Sequence, residues 1–299
     1  MKSLAIGLAA AALLALGLVV AAVSGAFDQD DGSVRAAASA RLKVDRFDGA
    51  RAFAELRRQV QLGPRPAGSP AARALAARLR RALPRGRYEP VAGHPGLRNV
   101  AGRLPGRKPA VVVAAHYDTK AIPGFVGAND GAGGTAAVLE LARVLRRTNR
   151  PASAPALRFV LFDGEESAND KADFYLAGLR GSKAYARRHR GAVRAVVLLD
   201  FVADKHLRIP REKGSDAKLW ARLRRAAKRV GAGAAFPDDT VNEVLDDHTP
   251  FTRAGVPAID LIDFDFPCWH ELCDDLSAVS AHSLDLSGEA VLELLRTWR

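Results

Sequence analysis

Four short apolar runs, at residues 111–115, 157–162, 195–199 and 258–262, are spaced along the sequence, with helix-period stretches between them at 135–147, 181–190 and 217–230. Two further helical patterns precede the runs, at 47–60 and 70–83, and one follows, at 288–298. Runs this short and this largely apolar, interrupted only by Arg158 and Asp260, suit strands buried on both sides. Their alternation with helices predicts an α/β fold: a mainly parallel, mixed sheet covered by helices on both faces, in three layers. In such sheets ligands bind outside the carboxyl ends of the strands. The residues leaving those ends are therefore the ones to read for chemistry.

Each run exits into acidic or imidazole side chains. His116 and Asp118 follow the first, Asp163, Glu165 and Glu166 the second, Asp200 the third, and Asp263, Asp265 and then His270 the fourth. Asp130 lies in Gly127-Ala128-Asn129-Asp130-Gly131, just ahead of a helical stretch. Carboxylates gathered at one sheet edge repel and raise each other's pKa unless a cation neutralises them. Mixed nitrogen and oxygen donors suit zinc, whereas oxygen alone would suit magnesium or calcium. The glycine-rich loop is no phosphate cradle, since it lacks the Gly-Lys-Ser/Thr ending of a P-loop.

Taken singly, each residue has a bland explanation. A lone Asp after a strand commonly caps a helix or turn, which accounts for Asp163, Asp246 and Asp274. His94, His189, His206 and His282 have no acidic set beside them and read as ordinary. His248, within Asp246-Asp247-His248-Thr249-Pro250-Phe251, is harder to dismiss. The recurrence at consecutive strand ends, in order, favours one functional edge.

The chain has 299 residues and a formal charge of +12, from 45 basic against 33 acidic side chains. Such a balance invites a nucleic-acid partner. The excess is nearly all Arg, scattered over helical stretches of an Ala-rich chain, so it reads as a solvated exterior with no nucleic-acid role. At the N-terminus, Met1-Lys2 precedes residues 4–23, which carry no charge, and Ser24-Gly25-Ala26 follows. That is the layout of a secretory signal, and its length also reaches the roughly 20 residues that span a bilayer. Residues 1–26 thus read as a cleaved signal peptide or a retained anchor, 27–45 as a linker, and 46–299 as one catalytic-sized domain lying outside the cytoplasm. Membrane contact is expected only through residues 4–23, and the protein is expected to be a monomer. Cys268 and Cys273 flank Trp269-His270-Glu271-Leu272. An even pair in an exported chain favours a local disulfide. Free core thiols and soft metal ligands are the alternatives, although a zinc-thiolate site normally has a second cluster.

The order His116-Tyr117-Asp118, Gly127-Ala128-Asn129-Asp130, Phe162-Asp163-Gly164-Glu165-Glu166, Leu199-Asp200 and Trp269-His270 resembles the zinc aminopeptidase family numbered 28 among the metallopeptidases. The likeness is nearest to its glutaminyl cyclase branch, with support from Asp246-Asp247-His248-Thr249-Pro250-Phe251 and Gly255-Val256-Pro257, and it covers the chain from about Gln61 onward. It implies that Asp130, Glu166 and His270 hold a zinc ion. One ion is expected; in the two-zinc aminopeptidases Asp130 bridges, and His116 with Asp200 completes a second site. The likeness further implies Glu165 as general acid/base, Asp200 and Asp247 in the proton network, and Trp269 as a wall of the substrate pocket. Asp118 would orient His116. The substrates implied are peptide or protein N-termini, either an N-terminal glutamine closed to pyroglutamate or an N-terminal residue hydrolysed; a non-catalytic anchored ectodomain is the reading the intact residue set argues against. Two departures from the animal cyclases bear on specificity. Residues 167–178 lack the tryptophan those enzymes place after the paired glutamates and offer Phe174 and Tyr175 instead. Asn129-Asp130-Gly131 stands in place of Thr-Asp-Ser.

Overall fold

The computed structural model describes residues 40–169 and 171–298. In chain order its longer elements are α1 (Gly49–Val60), α2 (Pro70–Ala82), β1 (Arg87–Pro90), β2 (Arg98–Leu104), β3 (Arg107–His116), α3 (Ala132–Arg147), β4 (Pro155–Phe162), the single turn α4 (Phe174–Ala177), and α5 (Arg180–His189). There follow β5 (Val193–Leu199), the short β6 (Arg211–Glu212), α6 (Ala217–Val230), the short β7 (Thr240–Val241), the single turn α7 (Thr249–Thr252), β8 (Ala258–Leu261) and α8 (Ala281–Arg296). The main sheet has six strands in the order β1-β2-β4-β3-β5-β8. β4, β3, β5 and β8 run parallel, and β2 and β1 add an antiparallel flank.

Side-chain alternation sorts this sheet into two cores. Val111, Val113, Phe159, Leu161, Val197 and Leu199 face one, which α1, α2, α3, α6 and α8 cover. Val112, Ala114, Val160, Phe162, Val196 and Leu198 face the other, closed by Tyr185 of α5 and Phe251 of α7. Both faces of the parallel strands are therefore apolar, which is why they read as unbroken runs. The four runs all form strands. The flank differs from the sequence expectation: β1 and β2 read Arg-Tyr-Glu-Pro and Arg-Asn-Val-Ala-Gly-Arg-Leu, too polar to stand out as buried strands. α8 begins at Ala281, well before the expected 288, because Ser280 caps it by accepting the N–H of Ser283.

The α3–β5 contact is tight. A Cβ on Gly134 would lie 2.0 Å from the Leu199 carbonyl oxygen, so only glycine lets α3 start against the sheet edge. Part of the expected linker is packed: Leu42 and Val44 lie against the core, and the Lys43 N–H donates to the Val230 carbonyl at 2.8 Å. Residues 4–23 lie outside the described residues, among which no helix is long and apolar enough to cross a membrane.

One surface-proximal acid opposes this packing. Asp285 of α8 has its carboxyl pKa pushed up to about 6 by burial, with Glu289 and Asp45 nearby adding to the shift. A raised folded-state value means the ionised form is disfavoured on folding, so stability is lost as pH climbs from about 4 to about 6 and stays lost above. Asp285→Asn is therefore expected to stabilise the protein by about 1 kcal/mol at pH 8, after allowance for the half-exposed group's screening, and by nothing at pH 3.5. Urea unfolding at the two pH values measures the difference; an equal gain at both would show that charge is not its source.

Candidate active site

The carboxyl ends of the parallel strands open into a cavity of about 490 Å³. Asp130, Glu165, Glu166, Asp200, Trp269 and His270 line it, together with Lys120, Asp246 and an apolar side made by Phe174, Phe201, Leu245 and Phe264. Residues from five loops thus meet over one sheet edge.

His116 ends β3 with its ring nearly sealed from solvent. Its Nδ1 lies 3.1 Å from the Asp118 carbonyl oxygen, which accepts a proton held there and turns Nε2 toward the carboxylates. That Nε2 is 3.1 Å from Asp130 Oδ1 and 3.1 Å from Asp200 Oδ1. On the other side, His270 Nε2 lies 3.2 Å from Glu166 Oε1 and 3.6 Å from Asp130 Oδ2. Asp130 therefore stands between two groups and turns one oxygen to each. Both groups, His116–Asp130–Asp200 and Asp130–Glu166–His270, have ligand atoms close enough to share a metal ion. Asp130 Oδ2 is buried with no hydrogen-bond partner. An orphaned carboxylate oxygen among nitrogen and oxygen donors fits a divalent ion.

Electrostatics agree. Burial first, and then the neighbouring Glu166, push the Glu165 carboxyl well above the usual carboxylate range against the pull of His116. Burial would depress His116, yet Asp200 and Asp130 beside it hold its pKa well above the ordinary value. The pocket carries more negative charge than its protein cations offset.

The loop bearing Asp130 is held from behind. Asp274 accepts the N–H of Asn129 at 2.7 Å and of Asp130 at 3.0 Å, and burial with Asp130 nearby pushes its pKa up to about 7. Gly131, with φ 89°, turns the chain straight into α3, and a Cβ there would lie 2.8 Å from the Asp118 carbonyl. Arg65, wholly buried, donates to the carbonyls of Gly63 and Val126 at 2.9 Å. Neither Arg65 nor Asp274 was legible as a site residue, because each acts across more than 60 residues of sequence. Asp274 is thus more than the turn residue its sequence suggests. Asp163 is likewise no local cap: it reaches across 65 residues to accept the Arg98 N–H at 2.9 Å.

Asp118 departs from expectation. Its carbonyl, not its carboxylate, holds the His116 ring; the carboxylate oxygen is 3.9 Å from Nδ1. The carboxylate instead accepts the N–H groups of Gly164 at 2.9 Å, Glu165 at 3.2 Å and Glu166 at 3.3 Å. Asp247 departs as well. It is fully buried and does not line the cavity, whereas Asp246 beside it does, in the turn that leads into α7. Asp263 and Asp265 face Arg208 outside the cavity. Trp269 is half exposed at the cavity mouth and stacked on His270 with ring centroids 4.6 Å apart. Phe174 takes the wall position that the 167–178 segment offered, while Tyr175 lies under Arg253. His270 has a left-handed backbone, φ 56°, inside the Cys268–Cys273 disulfide ring.

The family model for peptidase family M28 matches residues 99–295. The chain belongs to this family. Among curated M28-like relatives, the glutaminyl-peptide cyclotransferase of Drosophila melanogaster is 29% identical over 227 residues, covering 66% of this chain and 64% of that protein. The chain thus spans under two thirds of that relative's length. Among solved structures, the glutaminyl cyclase of an Acidobacteriales bacterium is 31% identical with a TM-score of 0.75, covering 86% of this chain and 96% of the other. A leucine aminopeptidase precursor from Bacteroides thetaiotaomicron VPI-5482 is 26% identical, also at TM-score 0.75, covering 87% of this chain and all of the other. The metal-suited groups thus all lie within the residues that the M28 family model matches.

Proposed function

We propose that this M28 protein is a zinc-dependent glutaminyl-peptide cyclotransferase, converting an N-terminal glutamine to pyroglutamate with release of ammonia. The observation that carries the proposal is the buried Glu165 beside the Asp130–Glu166–His270 group in one cavity. The choice of cyclisation rests on the 31% identity to the Acidobacteriales cyclase over nearly all of that chain.

Asp130, Glu166 and His270 would hold the ion, which supplies Lewis-acid polarisation of a carbonyl oxygen when bound. Glu165 takes a proton from the α-amine as its nitrogen bonds to the side-chain amide carbon. It returns that proton to the amide nitrogen as the carbon–nitrogen bond breaks and ammonia leaves. Working in both directions needs a carboxyl pKa near neutrality, and the burial of Glu165 beside Glu166 moves it that way. Trp269 and Phe174 wall the side chain in the cavity and limit its conformers. Because amine and amide belong to one residue, holding the right conformer draws on the roughly 7–11 kcal/mol available to oriented intramolecular reactions. Asp200 belongs to the proton network, with Asp247 behind the wall.

Aminopeptidase activity is the second reading, and a specific observation favours it: His116, Asp130 and Asp200 form a second set of the kind a two-metal hydrolase uses. One incubation separates the two. The full chain, given Gln-peptides and Leu-peptides, is expected to lower the mass of the first by one ammonia without shortening either. Shortened Leu-peptides with unchanged Gln-peptides would overturn the cyclase reading. Activity is also expected to fall at least about 100-fold after dialysis against a chelator and to return with zinc; a chelated protein that stays active contradicts metal dependence. We further propose that residues 1–26 direct the protein out of the cytoplasm as a signal or anchor, and that residues from about 46 onward form its catalytic domain.

A further inference from the structure

A second constellation reaches from the cavity wall into the interior and shares no residue with the Asp130 groups. Asp246 and His248 come from the turn that leads into α7, and Asp260 from the middle of β8, and their ligand atoms lie within 4.8 Å of one another. All are sealed from solvent, at 2%, 1% and 0% exposure, as is Glu212 at 0%. Asp246 Oδ2, His248 Nδ1 and both carboxylate oxygens of Asp260 have no hydrogen-bond partner. Burial of so many unsatisfied acceptors is costly unless something neutralises them.

The histidine indicates what does. Its Nε2 lies 3.4 Å from Glu212 Oε1, while Glu212 Oε2 is anchored by the N–H groups of Gly214 at 2.6 Å and Val244 at 3.3 Å. A metal-ligating histidine commonly turns its second nitrogen to a carboxylate in this way, which leaves the first bare for the ion. The bare Nδ1 is 3.6 Å from Asp260 Oδ2, too far for a hydrogen bond. Donors held at about 2.0–2.2 Å around a tetrahedral ion stand about 3.3–3.6 Å apart. The charged groups nearest Asp260 besides His248 are the carboxylates of Asp246, Asp200 and Glu212, so the cluster is acidic on every side. Asp246 alone of the three lines the cavity, so an ion has a way in.

We propose that Asp246, His248 and Asp260 form an additional divalent-metal site, taking zinc or a similar first-row ion. Two carboxylates and one imidazole match the charge and donor preference of such an ion. Its effect is structural: it fastens the α7 turn to β8, and with it the side of the cavity that Asp246 forms. The proposal is independent of the reaction assigned to the Asp130 groups.

The test is zinc counting on the full-length chain, combined with an anomalous difference map from its crystals at the zinc edge. The zinc-loaded protein is expected to show a peak about 2.0–2.2 Å from His248 Nδ1, separate from any at Asp130. His248→Gln is expected to carry about one equivalent of zinc fewer per chain, with the Asp130 peak unchanged. Absence of the wild-type peak, or equal zinc counts in wild type and His248→Gln, would overturn the site and leave protons shared between Asp246 and Asp260 as the neutralising charge. If His248→Gln does not fold, the wild-type map decides alone.

Discussion

Glu165→Gln is expected to lower kcat by about 10²–10⁴-fold while leaving the metal content unchanged. Glutamine keeps the shape and still hydrogen-bonds, but it cannot take a proton from an amine and return it to a leaving nitrogen. Glu165 lies outside both ligand groups, so the ion has no reason to leave. Glu166→Gln should behave in the opposite order, losing metal first and activity as a consequence. Ammonia release from a Gln-peptide, measured beside zinc content, distinguishes the two variants. Normal turnover in Glu165→Gln would remove the acid/base assignment.

Asp118→Ala is expected to cost about 3 kcal/mol of stability or more, and about 10–100-fold in activity. The variant strands three N–H donors, those of Gly164, Glu165 and Glu166, in a buried loop. Each unmet buried donor costs about 1–3 kcal/mol, and the loop carries both the proposed base and a metal-suited carboxylate. For a domain of this size the melting midpoint should fall by about 6–12 °C. Asp118→Asn, which retains an acceptor oxygen, should fall between wild type and Asp118→Ala in both measurements. A midpoint for Asp118→Ala within about 1 °C of wild type would show that the loop holds itself.

The contrast between Asp118 and Asp274 shows what could be read from the sequence. Buried parallel strands announce themselves because both faces are apolar, so β3, β4, β5 and β8 were legible, and with them the edge where function would lie. Glu165, Glu166, Asp130, His116 and Asp200 all leave that edge within a few residues of a strand end or glycine turn, while His270 follows the end of β8 by nine residues. Supports that reach across the fold leave no such trace. Asp274 holds Asn129 through a contact spanning 145 residues, and Arg65 holds Gly127 across 62. The polar flank β1–β2 was hidden for a different reason: it buries polar side chains that find partners across the fold, Glu89 with His189 and Asn99 with the Gly181 carbonyl. Asp246 and Asp247 were interchangeable on paper, since adjacent side chains in a turn diverge and only the backbone path says which faces the cavity.

The Cys268–Cys273 bond closes a small ring around His270, whose backbone is in the left-handed region that non-glycine residues avoid. Thiol chemistry and metal chemistry thereby become coupled. A reductant that opens the ring frees the backbone of a metal-suited side chain to relax without touching the ion itself. The bond is thus a covalent restraint on the segment that presents His270 to the cavity, independent of the sheet that places the other donors.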